Sequence, residues 1–292
     1  MNRAKSNSFK PMRSALYLPA SNERAIEKSR SIDADWIIFD LEDSVALQSK
    51  EPARNILISQ FSPDEFGRSR TAIRCNAVGS VEYLLDLDLI ALCRPHAVLL
   101  PKISNVSDVE QFAKDAKAHQ FSEEMTSWFM IETAEGVAQI ESIVRAGCNI
   151  PCALQTLVVG HNDLASLTGV SLAHDRRYLI PWLMQIVLQA KRFNIQVLDS
   201  VWNNYKDLDG FETEAVQAKE MGFDGKTLIH PSQVEPANRL FSPTEEEIAR
   251  AKSVVDEFSK AENANLNVLS INGEMVERLH LDQAQRLLEK VV

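Results

Sequence analysis

Short apolar runs rich in β-branched and aromatic residues alternate with longer segments of helical period about eight times between residues 14 and 229. No other feature of the chain narrows the choice of fold as far. The apolar runs are Ser14–Leu18, Trp36–Asp40, Thr71–Cys75, Ala97–Leu100, Trp128–Ile131, Leu157–Val159, Gln196–Leu198 and Lys226–Ile229. Amphipathic stretches between them include Asn22–Ile32, Val81–Leu92, Val106–His119, Gly136–Ala146, Arg176–Phe193 and Glu212–Met221. Strands apolar on both faces and separated by helices predict a parallel sheet with its helices outside. Eight such units in about 225 residues predict an α/β fold of the (β/α)8 TIM-barrel type. An open Rossmann sheet fits less well, because no G-x-G-x-x-G follows the first run.

The alternation ends near residue 241. Residues 1–12 read as a loose tail, 13–241 as the barrel catalytic domain, and 242–292 as a C-terminal helix followed by a lid or oligomerisation arm. In that arm Ser242 is expected to cap a helix with Pro243 at its first position, running to about Ala261. A polar segment, Glu262–Asn267, a short strand at Val268–Ile271, a turn at Asn272–Gly273 and a final helix at Leu281–Leu288 follow.

Charge and composition exclude several function classes. The formal net charge of −10 makes nucleic acid and anionic membrane surfaces poor partners, so an anionic ligand must be gripped by local Arg, Lys or metal. No apolar run reaches the ~20 residues of a membrane span, and the polar, basic tail lacks the apolar stretch of a signal peptide. The cytoplasm is therefore the expected compartment. The cysteines Cys75, Cys93, Cys148 and Cys152 have no zinc-like spacing and are expected to be reduced thiols.

In TIM barrels the chemistry sits at the carboxyl ends of the strands. Here those ends read Asp40–Leu41–Glu42–Asp43, Arg74–Cys75–Asn76, Pro101–Lys102, Glu132–Thr133, Gly160–His161–Asn162–Asp163, Asp199 and His230–Pro231. Such a concentration of ionisable and amide groups predicts a single polar mouth. Glu132 and Asp163 end neighbouring strands, and two oxygen ligands with room for water suit Mg²⁺; the bland reading is that either carboxylate caps the next helix. Glu42, Asp43 and Lys102 are expected behind them. Of the three crowded acids Asp40, Glu42 and Asp43, some would hold metal-bound water or orient Arg74 or Lys102, the alternative being a solvated acidic loop. The planar guanidinium of Arg74 suits bidentate capture of a carboxylate, or an internal salt bridge to Glu42 or Asp43. His230 is read as structural, closing the last loop, and His96, His119, His174 and His280 as surface or satisfied polar groups.

These residues resemble a known family, the citrate lyase beta subunit with its malyl-CoA and citramalyl-CoA lyase relatives. The resemblance lies in Arg-Ser-Ala-Leu-Tyr-Leu-Pro (13–19), Ile-Ile-Phe-Asp-Leu-Glu-Asp-Ser-Val (37–45), Ile-Arg-Cys-Asn (73–76) and Leu-Pro-Lys (100–102). It continues through Ile-Glu-Thr-Ala-Glu-Gly (131–136), Gly-His-Asn-Asp-Leu-Ala (160–165) and Met-Gly-Phe-Asp-Gly-Lys-Thr-Leu-Ile-His-Pro-Ser-Gln (221–233). It implies that Glu132 and Asp163 bind Mg²⁺, that Arg74 binds the acid end of the substrate, that Tyr17, Arg24 and Lys28 contact the CoA-type thioester, and that the backbone near Leu198–Asp199 faces substrate. It further implies a homotrimer or hexamer whose C-terminal arm closes over a neighbouring site. The family's arm carries a catalytic Asp in Gly-x-Met-Val-Asp, and Glu277 stands there in this chain. The implied activity is Mg²⁺-dependent carbon–carbon cleavage of a citramalyl, malyl or citryl thioester of CoA or an acyl carrier protein. The alternatives are a synthase or thioesterase of the same family, and a partner-dependent lyase subunit.

Overall fold

A computed structural model describes residues 11–173, 175–263, 266–289 and 291. The tail assigned to residues 1–12 thus lies almost wholly outside the described residues, as does His174. Eight parallel strands close into a barrel in sequence order: β1 (Ser14–Pro19), β2 (Trp36–Asp40), β3 (Arg70–Arg74), β4 (Ala97–Leu100), β5 (Thr126–Ile131), β6 (Leu154–Val159), β7 (Gln196–Asp199) and β8 (Gly225–Leu228), with β8 pairing back onto β1. The helices are α1 (Glu23–Ser29), α2 (Lys50–Gln60), α3 (Val81–Cys93), α4 (Val106–Ala118), α5 (Ala134–Ala138), α6 (Ile140–Gly147), α7 (His161–Thr168), α8 (Ile180–Arg192), α9 (Leu208–Met221), α10 (Val234–Phe241), α11 (Glu245–Ser259) and α12 (Arg278–Glu289). Among the described residues, no helix is long and apolar enough to cross a membrane.

Alternation along each strand sorts side chains between the barrel interior and the layer facing the helices. The interior takes Met12, Ala15, Trp36, Ile38, Ala72, Ala97, Leu99, Trp128, Met130, Val158 and Leu198. Trp36 and Trp128 meet edge to face at 4.5 Å between ring centroids, and the alanines make room for them. Gly225 closes the base of the barrel, where a Cβ would lie 1.8 Å from the Met12 carbonyl oxygen. On the outer side, Phe39 packs edge-on against Phe61 and tilted on Phe66 under α2.

The outer layer between β7, β8 and α9 also holds a buried charge cluster. Arg176 donates to both oxygens of Asp199 at 2.7 and 2.9 Å, and Lys226 donates to Asp199 at 2.6 Å and to Glu214 at 2.7 Å. Burial alone would raise Asp199, but the two cations override it and hold its carboxyl well below the usual range. Leu198 belongs to the barrel interior, so Asp199, one residue on, faces the helices.

Met12–Asn238 forms one compact unit and the chain from Arg239 onward belongs to another. In the second, α11 is capped by Thr244, not Ser242: Glu247 N–H donates to the Thr244 hydroxyl at 3.1 Å, and Thr244 N–H donates to the Glu247 carboxylate at 2.7 Å. A Thr with Glu three residues on makes this reciprocal capping box, which places Pro243 just before the cap. The helix ends at Ser259. Strand β9 (Val268–Ile271) pairs antiparallel with β10 (Glu274–Glu277), a strand the alternation did not suggest. Asn272 (φ 52°) and Gly273 (φ 83°) form its two-residue turn, a conformation that Asn-Gly adopts with least strain. Val276, Ala251, Val254, Phe258 and Ala284 are the buried heart of this unit.

Replacing Asp199 by Ala leaves Arg176 and Lys226 buried with Glu214 alone. The urea midpoint should fall by an amount equivalent to about 3–5 kcal/mol. A loss below about 1 kcal/mol would mean that the cluster acts like an exposed pair.

Candidate active site at the barrel mouth

The mouth is built from lumen-facing residues one layer above the apolar core. Asp40 ends β2 and Arg74 ends β3, directly opposite in the strand register. Arg74 Nε and one terminal nitrogen donate to the two oxygens of Asp40 at 2.6 and 2.7 Å, and the other terminal nitrogen lies 3.1 Å from Glu42 and 3.7 Å from Asp43. The guanidinium carbon sits 4.9 Å from the centre of the Tyr17 ring on β1. Burial alone would raise Asp40, but the charge and hydrogen bonds of Arg74 hold its carboxyl below the usual range. Asp40 also accepts from the backbone N–H groups of Glu42 and Ser44 at 2.9 and 3.1 Å, which shapes the acidic loop.

Behind that loop, Lys50 on α2 is buried and donates to the carbonyls of Leu41 and Glu42 at 2.9 and 3.1 Å and to Asn76 at 2.6 Å. Asn76 in turn donates to Asp86 at 2.6 Å, and Arg54 donates to Asp86 at 2.9 Å. Asn76 therefore serves the outer layer that braces the loop.

Lys102 joins this loop to the next wall. Its ammonium donates to Glu42 at 2.5 Å, and its backbone N–H donates to Glu132 Oε1 at 2.8 Å. That N–H is aimed by a left-handed backbone, φ 56°, a conformation a lysine adopts only when its surroundings impose it. Glu132, 1% exposed, leans over Gly160, where a Cβ would lie 2.5 Å from both Glu132 Cβ and Oε2. Thr133, and not Glu132, caps α5, its hydroxyl accepting the Gly136 N–H at 2.9 Å and sharing a hydrogen bond of 2.9 Å with the Ser104 hydroxyl. The cap of α7 is Gly160, with no side-chain bond, and Asp163 stands half-buried in its first turn. The capping alternatives for both carboxylates are thereby removed.

Burial, then the charges of Glu42 and Asp163, push the Glu132 carboxyl up to about 8. The mouth thus holds five carboxylates, Asp40, Glu42, Asp43, Glu132 and Asp163, against the cations Arg74 and Lys102 with Lys50 behind the loop. With every group ionised the carboxylates exceed the cations by two, and the all-oxygen donors Glu132 and Asp163 fit a hard divalent cation. Among the described residues, no cluster of three or more His, Cys, Asp or Glu groups forms a fuller protein cage. All four cysteines are free thiols.

Other expected site residues lie elsewhere. Leu198 is fully buried in the barrel interior, and the Asp199 side chain is committed to the outer charge cluster, so its carboxylate is not at the mouth. Arg24 and Lys28 are exposed on α1, four residues apart, and Arg24 lines a surface groove of about 470 Å³ with Glu23, Glu27, Arg30, Gln60 and Phe61. Glu277 belongs to the second compact unit, at the end of β10, where its backbone N–H donates to His280 Nδ1 at 2.8 Å. His230 accepts the Ser232 N–H at 3.2 Å and stacks on Tyr205, a loop-closing role. Of the acids expected to orient Arg74, Asp40 takes its edge, whereas the close His161 Nδ1–Ser200 Oγ pair at 2.5 Å had no signal in the sequence.

A family model described as HpcH/HpaI aldolase/citrate lyase matches residues 13–231. The (3S)-malyl-CoA thioesterase of Cereibacter sphaeroides is 36% identical over 280 residues, covering 96% of this chain and 94% of that protein. The citrate lyase subunit beta of Haemophilus influenzae is 30% identical, covering 97% of each chain. The mitochondrial citramalyl-CoA lyase of Mus musculus is 27% identical, covering 96% of this chain and 86% of that protein. Among solved structures, the CitE protein of Mycobacterium tuberculosis in complex with magnesium, acetoacetate and coenzyme A superposes with a TM-score of 0.75 at 26% identity, covering 95% and 97% of the two chains.

A carboxyl raised in the folded state binds protons the unfolded chain has lost, so it weakens the fold as pH climbs from its ordinary range to about 8. In EDTA, Glu132→Gln should match the wild type near pH 4 and be the more stable protein at pH 8.5. Urea midpoints at both values check this. Equal midpoints at pH 8.5 would show that Glu132 carries no uncompensated charge.

Proposed function

We propose that this chain, which belongs to the HpcH/HpaI aldolase/citrate lyase family, is a Mg²⁺-dependent carbon–carbon lyase. Its substrate class is a 3-hydroxy di- or tricarboxylic acyl thioester, of the citramalyl, malyl or citryl kind, cleaved to an acetyl thioester and a 2-oxo acid. The observation that carries this reading is the mouth itself: the carboxylates Glu132 and Asp163, neither of them a helix cap, stand with Arg74 in a site where carboxylates outnumber cations.

Glu132 and Asp163 would hold the ion, which when bound supplies Lewis-acid polarisation of the oxo-acid oxygen. Arg74, fixed by Asp40 on one edge, keeps its third nitrogen toward Glu42 and the lumen, where a substrate carboxylate can share it. Lys102 fixes Glu132 through its N–H and Glu42 through its ammonium, so the ligand carboxylate meets the ion in one orientation. Arg24 and Lys28 present two exposed cations to the phosphates of a CoA-type thioester. Cleavage leaves a carbanion equivalent that must take a proton, and Glu277 from a neighbouring copy in a trimer or hexamer is the proposed donor.

A second reading rests on the 36% identical thioesterase: release of the free hydroxy acid by hydrolysis of the thioester. Product analysis separates the two. Purified protein with Mg²⁺ and (3S)-malyl-CoA, citramalyl-CoA or citryl-CoA should yield acetyl-CoA with an oxo acid, whereas free CoA with the hydroxy acid marks the hydrolase.

Glu132→Gln and Asp163→Asn should each lower Mg²⁺-dependent turnover by at least about 100-fold. Wild-type turnover by Asp163→Asn in EDTA would remove the metal from the mechanism. Mixing inactive Glu132→Gln with inactive Glu277→Ala should restore activity if Glu277 acts on a neighbouring site. No recovery would place Glu277 outside the mechanism or within its own subunit.

A further inference from the structure

Of the two carboxylates assigned to the metal, Glu132 is held by a bond to its side chain, from the Lys102 amide. Among the described residues, no group donates a hydrogen bond to the Asp163 carboxylate. Its position therefore follows from where the first turn of α7 puts it. That turn lacks the usual anchor, because its cap is Gly160, which has no side chain to bond the free amides. An uncapped turn opens readily, and Mg²⁺ tolerates little wander in an oxygen ligand.

The turn is held instead from the loop after β7, by three hydrogen bonds. His161 Nδ1 and Ser200 Oγ share one of 2.5 Å, both side chains being buried. Asn162 and Asn203 bond each other twice, the Nδ2 of each donating to the Oδ1 of the other at 3.1 and 2.8 Å. His161 and Asn162 are the first two residues of α7, and Asp163 is the third. The holding loop is itself fixed. Asp199, the residue before Ser200, is gripped by Arg176 and Lys226, and its carbonyl accepts from the Thr227 hydroxyl at 2.9 Å. Further on, the Trp202 carbonyl accepts from Gln233 Nε2 at 3.1 Å, and the Trp202 indole donates to the Asp207 carbonyl at 3.0 Å. The outer charge cluster thus reaches the mouth through one serine.

We infer that Ser200 and His161, with the Asn162–Asn203 pair beside them, are positioning residues that set the Mg²⁺ affinity of the mouth through Asp163. The inference rests on the assignment of Asp163 as a metal ligand and gives a task to four residues that assignment does not use. With the latch closed, the ligand carboxylate is ordered before the ion arrives. With it removed, part of the binding energy goes into fixing the start of α7, and the apparent affinity falls. Once the site is saturated the ligand geometry is the same, so the loss falls on affinity and not on the chemical step.

Calorimetric titration with Mg²⁺ at pH 7 tests this without substrate. Ser200→Ala should bind Mg²⁺ about 10- to 100-fold more weakly than the wild type, the usual effect of removing a contact that supports a metal ligand. His161→Ala should weaken binding by a similar factor, and the double variant no further, because both changes delete one contact. His161→Asn sets an amide near the place of Nδ1 and should return the affinity to within about threefold of wild type. At saturating Mg²⁺ the turnover of Ser200→Ala should lie within about threefold of wild type, so that the defect shows in the Mg²⁺ dependence. Asn203→Ala, at the exposed pair, should weaken binding by about threefold, and it carries the test if Ser200→Ala does not fold. Wild-type affinity in the variant that carries the test, with Asp163→Asn still abolishing binding, would overturn the latch and leave the metal assignment intact. Losses that add in the double variant would also overturn it, since the two side chains would then act separately. Wild-type affinity in Asp163→Asn would sink the metal assignment, and the latch with it.

Discussion

Two neighbouring strands end in opposite charges that meet inside the barrel, and the mouth is organised from that contact outward. Arg74 takes both oxygens of Asp40 along one edge, with each side chain nearly buried. A pair so placed adds little net stability, because desolvation offsets most of the attraction, but breaking it strands a charge. Its value is geometric. Asp40 spends its remaining lone pairs on the Glu42 and Ser44 amides, which turns the acidic loop so that Glu42 meets both Arg74 and Lys102. Lys102, pinned there, bends into a left-handed backbone that gives its amide to Glu132. One ion pair between β2 and β3 therefore sets the orientation of a carboxylate at the end of β5.

Parity separates this polar system from a second one nearby. Asp40, Arg74 and Tyr17 share the lumen side with the interior core, whereas Asp199, Arg176, Lys226 and Glu214 form a closed cluster in the helix layer. Lys50, Asn76, Asp86 and Arg54 brace the acidic loop from the same outer side. The outer systems leave their charges satisfied and out of reach. The inner one is left with more carboxylates than cations and a raised Glu132, the pattern expected where a ligand completes the electrostatics.

Much of this was legible in the chain. The eight alternating runs gave the barrel because both-face apolar strands have few other homes, and Glu132, Asp163 and Arg74 were found because they follow those strands. Asp199 was misplaced for a physical reason: it is polar and ends a strand, but one residue of register turns it to the other face. The Lys102 backbone could not be anticipated, since a left-handed lysine has no local signature and arises from the tertiary pull of Glu42 and Glu132. Gly160 was hidden for the opposite reason, because its contribution is the absence of a side chain where Glu132 must lean. In the arm, the Asn-Gly turn was visible but its second strand was not, since Glu274–Glu277 is polar and short.

Glu132 sits in a carboxylate cluster short of a cation, and its raised carboxyl would give up a proton to a divalent ion bound there. Calorimetric titration with Mg²⁺ at pH 7, repeated in buffers of different ionisation enthalpy, measures this directly. With Glu132 at about 8, binding should release close to one proton per site, and Glu132→Gln should release none. Binding of Mg²⁺ by the wild type with no proton release, or no binding at all, would contradict the account.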